Sequence, residues 1–403
     1  MNKVSIEQAV DMLCALPRRM PAETAPLLCA QGRVLAGDVY AAVSVPPFDR
    51  SPYDGYAFRG EDTAGASREN PVTLRIVEEL PAGKAPTVKL GPGEAVKILT
   101  GAPVPEGADA IVKYEETEFT AETVKIFSPV PPHTDIVPAG EDVEKGSLLL
   151  RRGSVLTPAA AGLLAGQGMA EVSVFRRPRA CVFSTGSELL EAGEPPAPGK
   201  IYNSNTTTIC AYLENLGCEC IPAPSVPDDP ERIAQCITAA LGDCDLVVTT
   251  GGASVGDYDF AVRAAELTGA RLLFWKIAMK PGGSVVAAEK DGKLILNLSG
   301  NPGAAVTTLL RVGAPYIKRL CGREDYLPET MTLCVKEDFK KKNPQTRIVR
   351  GRLSLEDGQA YFVPQEGQGN GMVSSFVGCD LLAELPAGSP PPKAGELIRV
   401  FRV

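Results

Sequence analysis

Near the start of the chain, apolar positions recur every third or fourth residue, so Ile6, Val10 and Leu13 share one helical face. Ser5 followed three residues later by Gln8 makes a capping box, which predicts a short helix running to about Leu16. Residues 34–60 read as extended segments interrupted by Pro46, Pro47 and Pro52. Between about 70 and 135 the rhythm shortens to strands at 72–77, 95–99, 110–114 and 123–127, separated by Gly/Pro turns. A strand and then a helix follow within 148–175, the helix opened by Thr157-Pro158.

From Arg179 the pattern alternates. Strands are expected over 180–184, 219–222, 246–249 and 271–275, with helices after Asn205, over 230–241 and near 259–268. Residues 285–288 and 294–298 read as a hairpin around Asp291-Gly292, and one helix is expected from about Gly303 to Leu320. Such alternation indicates a doubly wound α/β sheet with helices on both faces. After Cys321 the helices stop, and strands at 332–335, 347–353, 360–363, 380–384 and 397–401 predict a small β domain.

The most informative stretch is 245–260. The buried run Leu246–Val248 meets Thr249, Thr250, Gly251 and Gly252, with Ser254 and Gly256 following and Asp257 and Asp259 at the mouth of the turn. Glycines let backbone N–H groups approach a ligand, and in open α/β sheets ligands sit beyond the carboxyl ends of the strands. Donors beside two carboxylates suit a phosphate together with a divalent metal. The competing reading is a turn whose acids only cap the next helix.

Composition narrows the class. The chain has 403 residues, 44% hydrophobic and 22% charged, enough for two to four ordinary domains. No apolar run is long enough to span a membrane, and the N-terminus has no signal-like segment. A formal charge of −8 argues against a nucleic-acid surface. The 11 cysteines are odd in number and contain no CxxC pair, which predicts reduced, mostly buried thiols in a cytoplasm. Cys218 and Cys220 are expected to share a strand face. The single histidine, His133, disfavours a serine hydrolase and histidine metal chemistry. No Gly-x-Gly-x-x-Gly turn with a distal acid follows any strand, which disfavours a nicotinamide dehydrogenase.

Six segments in order resemble the MoeA-type molybdopterin molybdenumtransferases, related to the gephyrin E domain. They are residues 47–57, 98–112, 184–189, 249–260, 276–282 and 300–302, and together they extend the resemblance over essentially the whole chain. The resemblance implies four parts: an elongated, discontinuous N-terminal α+β domain (1–45 plus 136–177), an inserted β domain (46–135), an α/β molybdopterin-binding domain (178–326) and a C-terminal β-barrel-like domain (327–403). It implies a homodimer that inserts molybdate into adenylylated molybdopterin with magnesium, releasing AMP. The molybdopterin adenylyltransferase and molybdoenzymes are the implied protein partners.

The substrates are anions, so an acidic protein must bind them with local donors. Thr250, Gly251, Gly252 and Ser254 are candidate phosphate cradles. Gly256 joins them as a glycine that lets backbone N–H groups approach, and the resemblance adds Pro281 and Arg350 to the binding set; for Arg350 a strand-face arginine is the alternative. Lys276 and Lys280, four apart, share a face whether helical or extended; they match family lysines, and the alternative is a solvated pair. Asp54, Asp142, Glu188, Asp228 and Asp259 are carboxylate candidates, of which Glu188, Asp228 and Asp259 belong on one edge of the sheet as metal ligands. Alternatively, Asp228 caps the helix before Pro230 and Asp54 is only a turn acid. Thr100 and Ser51 offer hydroxyls, or merely form turns.

The chain departs from the family pattern in several places. Gly283 stands where the family has a lysine, and Val137 where it has an arginine; Asn297 and Ser299 interrupt the usual Gly-Leu-Pro-Gly-Asn-Pro. Tyr53 replaces a methionine, and Asn370-Gly371 replaces a Ser-His pair. A charged-donor contact contributes about 1.5–3 kcal/mol, so two lost cations weaken anion binding unless Arg347, Lys97 or another residue substitutes. The altered cation set leaves open another oxyanion, such as tungstate, or a catalytically weak pterin-binding scaffold.

Overall fold

The computed structural model describes residues 3–16, 19–252 and 260–403. The chain forms two compact units, one of residues 1–37, 152–157 and 171–403, the other of 38–151 and 158–170. No helix among the described residues is long and apolar enough to cross a membrane.

The second unit is built on a six-stranded sheet in the order Ala110–Lys113, Gly55–Phe58, Glu94–Ile98, Val72–Leu80, Thr123–Ile126 and Thr117–Phe119. Alternation sends Tyr56, Phe58 and Leu74 to one apolar cluster and Ala57, Leu80 and Ile98 to another, so both faces are covered. The Thr117–Phe119 edge strand was not visible in the sequence pattern, because its three residues are too few to show a period.

In the first unit the helix Ile6–Cys14 opens with the expected capping box: Ser5 Oγ accepts from Gln8 N–H at 3.1 Å and Gln8 Oε1 from Ser5 N–H at 2.9 Å. Its central sheet runs Glu219–Pro222, Arg179–Ser184, Leu246–Thr250, Lys293–Leu298, Val286–Lys290 and Arg271–Trp275. The first four strands are parallel and Val286–Lys290 is reversed by the hairpin. At the hairpin turn Asp291 and Gly292 both take positive φ, 53° and 75°, as a tight Asp-Gly turn requires. Ala180, Val182, Leu246 and Val248 face Ile209, Leu213 and Val306; Cys181, Phe183 and Val247 face Ile233, Ile237 and Ala264. Helices therefore cover both faces, as the alternation predicted.

Two expectations need correction here. The helix expected from Gly303 to Leu320 is three pieces, Pro302–Thr308, a π-helical segment Leu309–Gly313, and Ala314–Leu320. Pro315 has no N–H to return to residue 311, so the ladder widens ahead of it. Cys218 and Cys220 do not share a strand face: the strand begins at Glu219, leaving Cys218 buried ahead of it while Cys220 Sγ–H donates to Cys210 O at 3.4 Å.

Strands Thr330–Val335, Thr346–Glu356, Gln359–Pro364, Leu381–Leu385 and Leu397–Arg402 close on themselves as a five-stranded barrel. A short strand, Met279–Lys280, adds to its outside with Lys280 in register with Arg347.

Candidate functional site

The site lies where the sheet changes direction. From Arg179–Ser184 the chain moves outward to Glu219–Pro222, then returns to add Leu246–Thr250 on the other side. This leaves a crevice beyond the carboxyl ends of the two central strands. Ser184 ties their ends together: its hydroxyl donates to Asn203 Oδ1 at 2.8 Å and meets Thr250 Oγ1 at 2.9 Å and Thr206 Oγ1 at 3.0 Å. Asn203 also caps the helix Ser204–Asn215.

The crevice holds about 450 Å³ and is lined by Thr185, Glu188, Asn205, Asp228, Thr250, Gly251, Gly252 and Ser299, among others. Gly251 has φ +98°, and a Cβ there would sit 2.4 Å from Thr185 O and 2.7 Å from Thr185 Oγ1. Only glycine lets the turn pass so close to the neighbouring strand end. Asn297 Nδ2–H fixes the turn from beneath, donating to Gly251 O at 2.8 Å and Thr249 Oγ1 at 2.9 Å. Thr185 Oγ1 is buried with no hydrogen-bond partner among the described residues, as a polar atom beside an anion or cation site would be.

Glu188 and Asp228 thus meet at one crevice from segments far apart in the chain. Asp259, with Ser254 and Gly256, lies outside the described residues. The helix-cap alternative for Asp228 is corrected: Asp229 is the cap, accepting from Arg232 N–H at 3.0 Å. Among the described residues no three metal-ligating side chains cluster.

A second cleft, of about 560 Å³, lies across a wall made by Ser299 and Asn301, which line both. It takes Lys3, Lys276, Lys280, Pro281, Gly283 and Gln345 in its lining. Among the described residues, none that line it is acidic. The segment from Lys276 to Lys280 is neither a helix nor a continuous strand, because Lys276 has φ +70°. Both lysines still line one cleft, and Lys276 Nζ stands 4.1 Å from the centre of the Trp275 ring. A smaller cavity of about 200 Å³ continues past Lys280 to Lys341, Lys342 and Arg347. Burial pulls the Arg347 guanidinium below its ordinary value.

Arg350 is not among the residues lining these clefts. It is 1% exposed and donates to the carbonyls of Gly303, Gly367 and Gly369 at 3.4, 3.3 and 3.1 Å, so it ties the barrel to the helix after Asn301.

In the other unit, Asp54 and Thr100 meet directly. Asp54 Oδ1 accepts from Thr100 N–H and Thr100 Oγ1–H, both at 2.7 Å. The Thr100 N–H, then its hydroxyl, holds the Asp54 carboxyl below the usual carboxylate range. Ser51 is buried and donates to Tyr53 O, so its hydroxyl is part of the turn. Asp142 is exposed, its N–H bonded to Val45 O at 3.0 Å. Lys97 is paired with Glu79 at 3.2 Å.

Sequence reasoning missed Lys3, Thr185, Asn205 and Asn297. Thr185 lies in the family-like segment 184–189 and Asn297 in an altered family motif, but Lys3 and Asn205 carry no motif signal and reach the site only through the fold.

Three consecutive regions match known families: residues 4–168 the MoeA N-terminal region (domain I and II), 181–319 a probable molybdopterin binding domain, and 332–402 the MoeA C-terminal region (domain IV). The molybdopterin molybdenumtransferase of Staphylococcus aureus is 36% identical over 400 residues, covering 99% of this chain and 96% of that protein. The chain belongs to the MoeA family of molybdopterin molybdenumtransferases. The Bacillus subtilis MoeA-family enzyme of the same name is 35% identical over 404 residues, covering 99% and 94%. The MoeA molybdopterin biosynthesis protein of Pyrococcus horikoshii superposes with a TM-score of 0.85 at 32% identity, covering 100% of this chain and 99% of that one. The MoeA architecture therefore holds along the full length, with the crevice within the region matched to molybdopterin binding.

Proposed function

We propose that this molybdopterin molybdenumtransferase inserts molybdate into adenylylated molybdopterin and releases AMP, in molybdenum cofactor biosynthesis. The observation that carries this reading is the pairing of two clefts across the Ser299–Asn301 wall, one with carboxylates and turn N–H groups, the other with lysines. The substrate combines a phosphoanhydride with an oxyanion, and the two clefts offer a donor set for each.

The glycine turn and Thr250 orient the phosphates, while Asn297 keeps that turn rigid. Lys276 and Lys280 hold the negative oxygens that the reaction brings together, in a cleft lined by no acid among the described residues. Glu188 and Asp228 would hold magnesium with Asp259, and the donor set fits, because magnesium prefers one or two carboxylates with the rest supplied by water and phosphate. When bound, magnesium supplies charge neutralisation on the phosphoanhydride oxygens. The same proposal includes the homodimer, the four-part domain map, roles for Asp54, Thr100, Asp142 and Arg350, and a cytoplasmic setting with the adenylyltransferase and molybdoenzymes as partners.

The test is single: purified protein with adenylylated molybdopterin, molybdate and magnesium. AMP release supports the reading, and its absence beside an active relative overturns it. Tungstate competing better than molybdate would reassign the oxyanion, and pterin binding without AMP release would make the protein a scaffold.

A further inference from the structure

We infer that Lys3 is the third anion-binding cation of the lysine cleft, beside Lys276 and Lys280. The inference rests on the proposed transferase reading and adds a residue to it.

Gly283 leaves no room for a side chain of its own. A Cβ built there would lie 2.6 Å from Met279 O and 2.8 Å from Ile277 O, so no other residue enters without moving the main chain. Any further cation in this cleft comes from another segment, and Lys3 lines the same cleft as Lys276 and Lys280.

Its position is built rather than incidental. Val4 N–H donates to Lys276 O at 3.3 Å and Ala278 N–H donates to Val4 O at 2.8 Å, a parallel bridge that lays residues 3–4 along the cleft wall. On the other side, the Ser5 capping box starts a helix whose Ile6 is buried in the main core. The ammonium donates to Gln345 Oε1 at 2.8 Å, which steers it toward the barrel side of the cleft. An ammonium has three donors, and that bond uses one. Two remain for the oxygens of a tetrahedral anion.

That anion is either a phosphate group of adenylylated molybdopterin or free molybdate. Calorimetric binding of each, separately, to the wild type, Lys3→Gln and Lys3→Arg distinguishes them. For one ligand, Lys3→Gln is expected to weaken binding about tenfold, with Lys3→Arg restoring most of it. The ligand whose affinity moves is the one Lys3 contacts. In turnover the same variant should raise KM for that substrate and leave kcat within about twofold, the signature of lost ground-state binding. The melting temperature should not change, because the side chain is exposed.

Equal binding of both ligands by wild type and Lys3→Gln overturns the inference even if AMP is released. Absent AMP release with lysine-dependent binding overturns the transferase reading and leaves Lys3 in place. Absence of both overturns both.

Discussion

The two clefts flanking Ser299 and Asn301 handle charge in opposite ways. The glycine-turn crevice offers backbone donors beside carboxylates, a combination suited to a cation and a phosphate together. The lysine cleft presents Lys3, Lys276 and Lys280, and no acid lines it among the described residues. On a chain with formal charge −8, this segregation creates a local positive field that the whole molecule lacks. The lesson is that overall charge says little about a site when one sheet edge and one chain end can sort the charges.

The largest expected effect comes from breaking the rigid side. Gly251→Ala forces a side chain into a left-handed conformation, which costs about 1–2 kcal/mol, and also collides with Thr185. AMP release should fall by more than about a hundredfold, since misplacing a reacting group by 1 Å costs about that much. Activity retained within tenfold would show that the turn is not the phosphate cradle.

Asp228 and its neighbour sharpen the same side. Asp228→Asn should lower AMP release about tenfold or more, with the melting temperature unchanged. Asp229→Ala should cost about 1 kcal/mol of stability through loss of the helix cap, with turnover kept. Denaturant melts and turnover, measured on both, test the assignment; swapped effects would sink it.

On the lysine side, Lys280→Ala should weaken molybdate or pterin binding about tenfold, as loss of one charge-assisted contact does. Calorimetry checks it, and the effect should shrink as salt rises if the ammonium stays partly solvated.

The smallest effect separates both clefts from the Asp54–Thr100 pair. Thr100→Val removes the hydroxyl but keeps the N–H, the larger cause of the lowered Asp54 value. Asp54 should then titrate at higher pH than in the wild type, yet still below an ordinary carboxylate, as a carboxyl-labelled NMR titration would show. The sign follows from linkage: a depressed carboxylate contributes stability above its unfolded value and loses it as pH falls through the folded one.

Much of this was legible along the chain. The capping box at Ser5, the Asp-Gly hairpin, the strand expected over 246–249 and the glycines that end it depend on neighbours a few residues away, so local chemistry determines them. Other features were not legible. Pro315 converts part of the expected long helix into a π turn, because the consequence depends on whether the helix is held on both sides. Arg350 looks like any strand arginine until the barrel closes and surrounds it with carbonyls. Asp229 caps the helix because it directly precedes Pro230, which leaves Asp228 uncommitted at the crevice, a placement only the fold shows.

By itself the sequence determined the elements, the α/β and β divisions, and the family, because these rest on periodicity, turn chemistry and ordered motifs. Tertiary structure alone decided which charges meet. Parallel strands carry Glu188 and Asp228 to the same edge from 40 residues apart, and the bridge at Val4 brings Lys3 beside Lys276 and Lys280. Register and chain crossover set those meetings, and neither leaves a mark in the order of neighbouring residues.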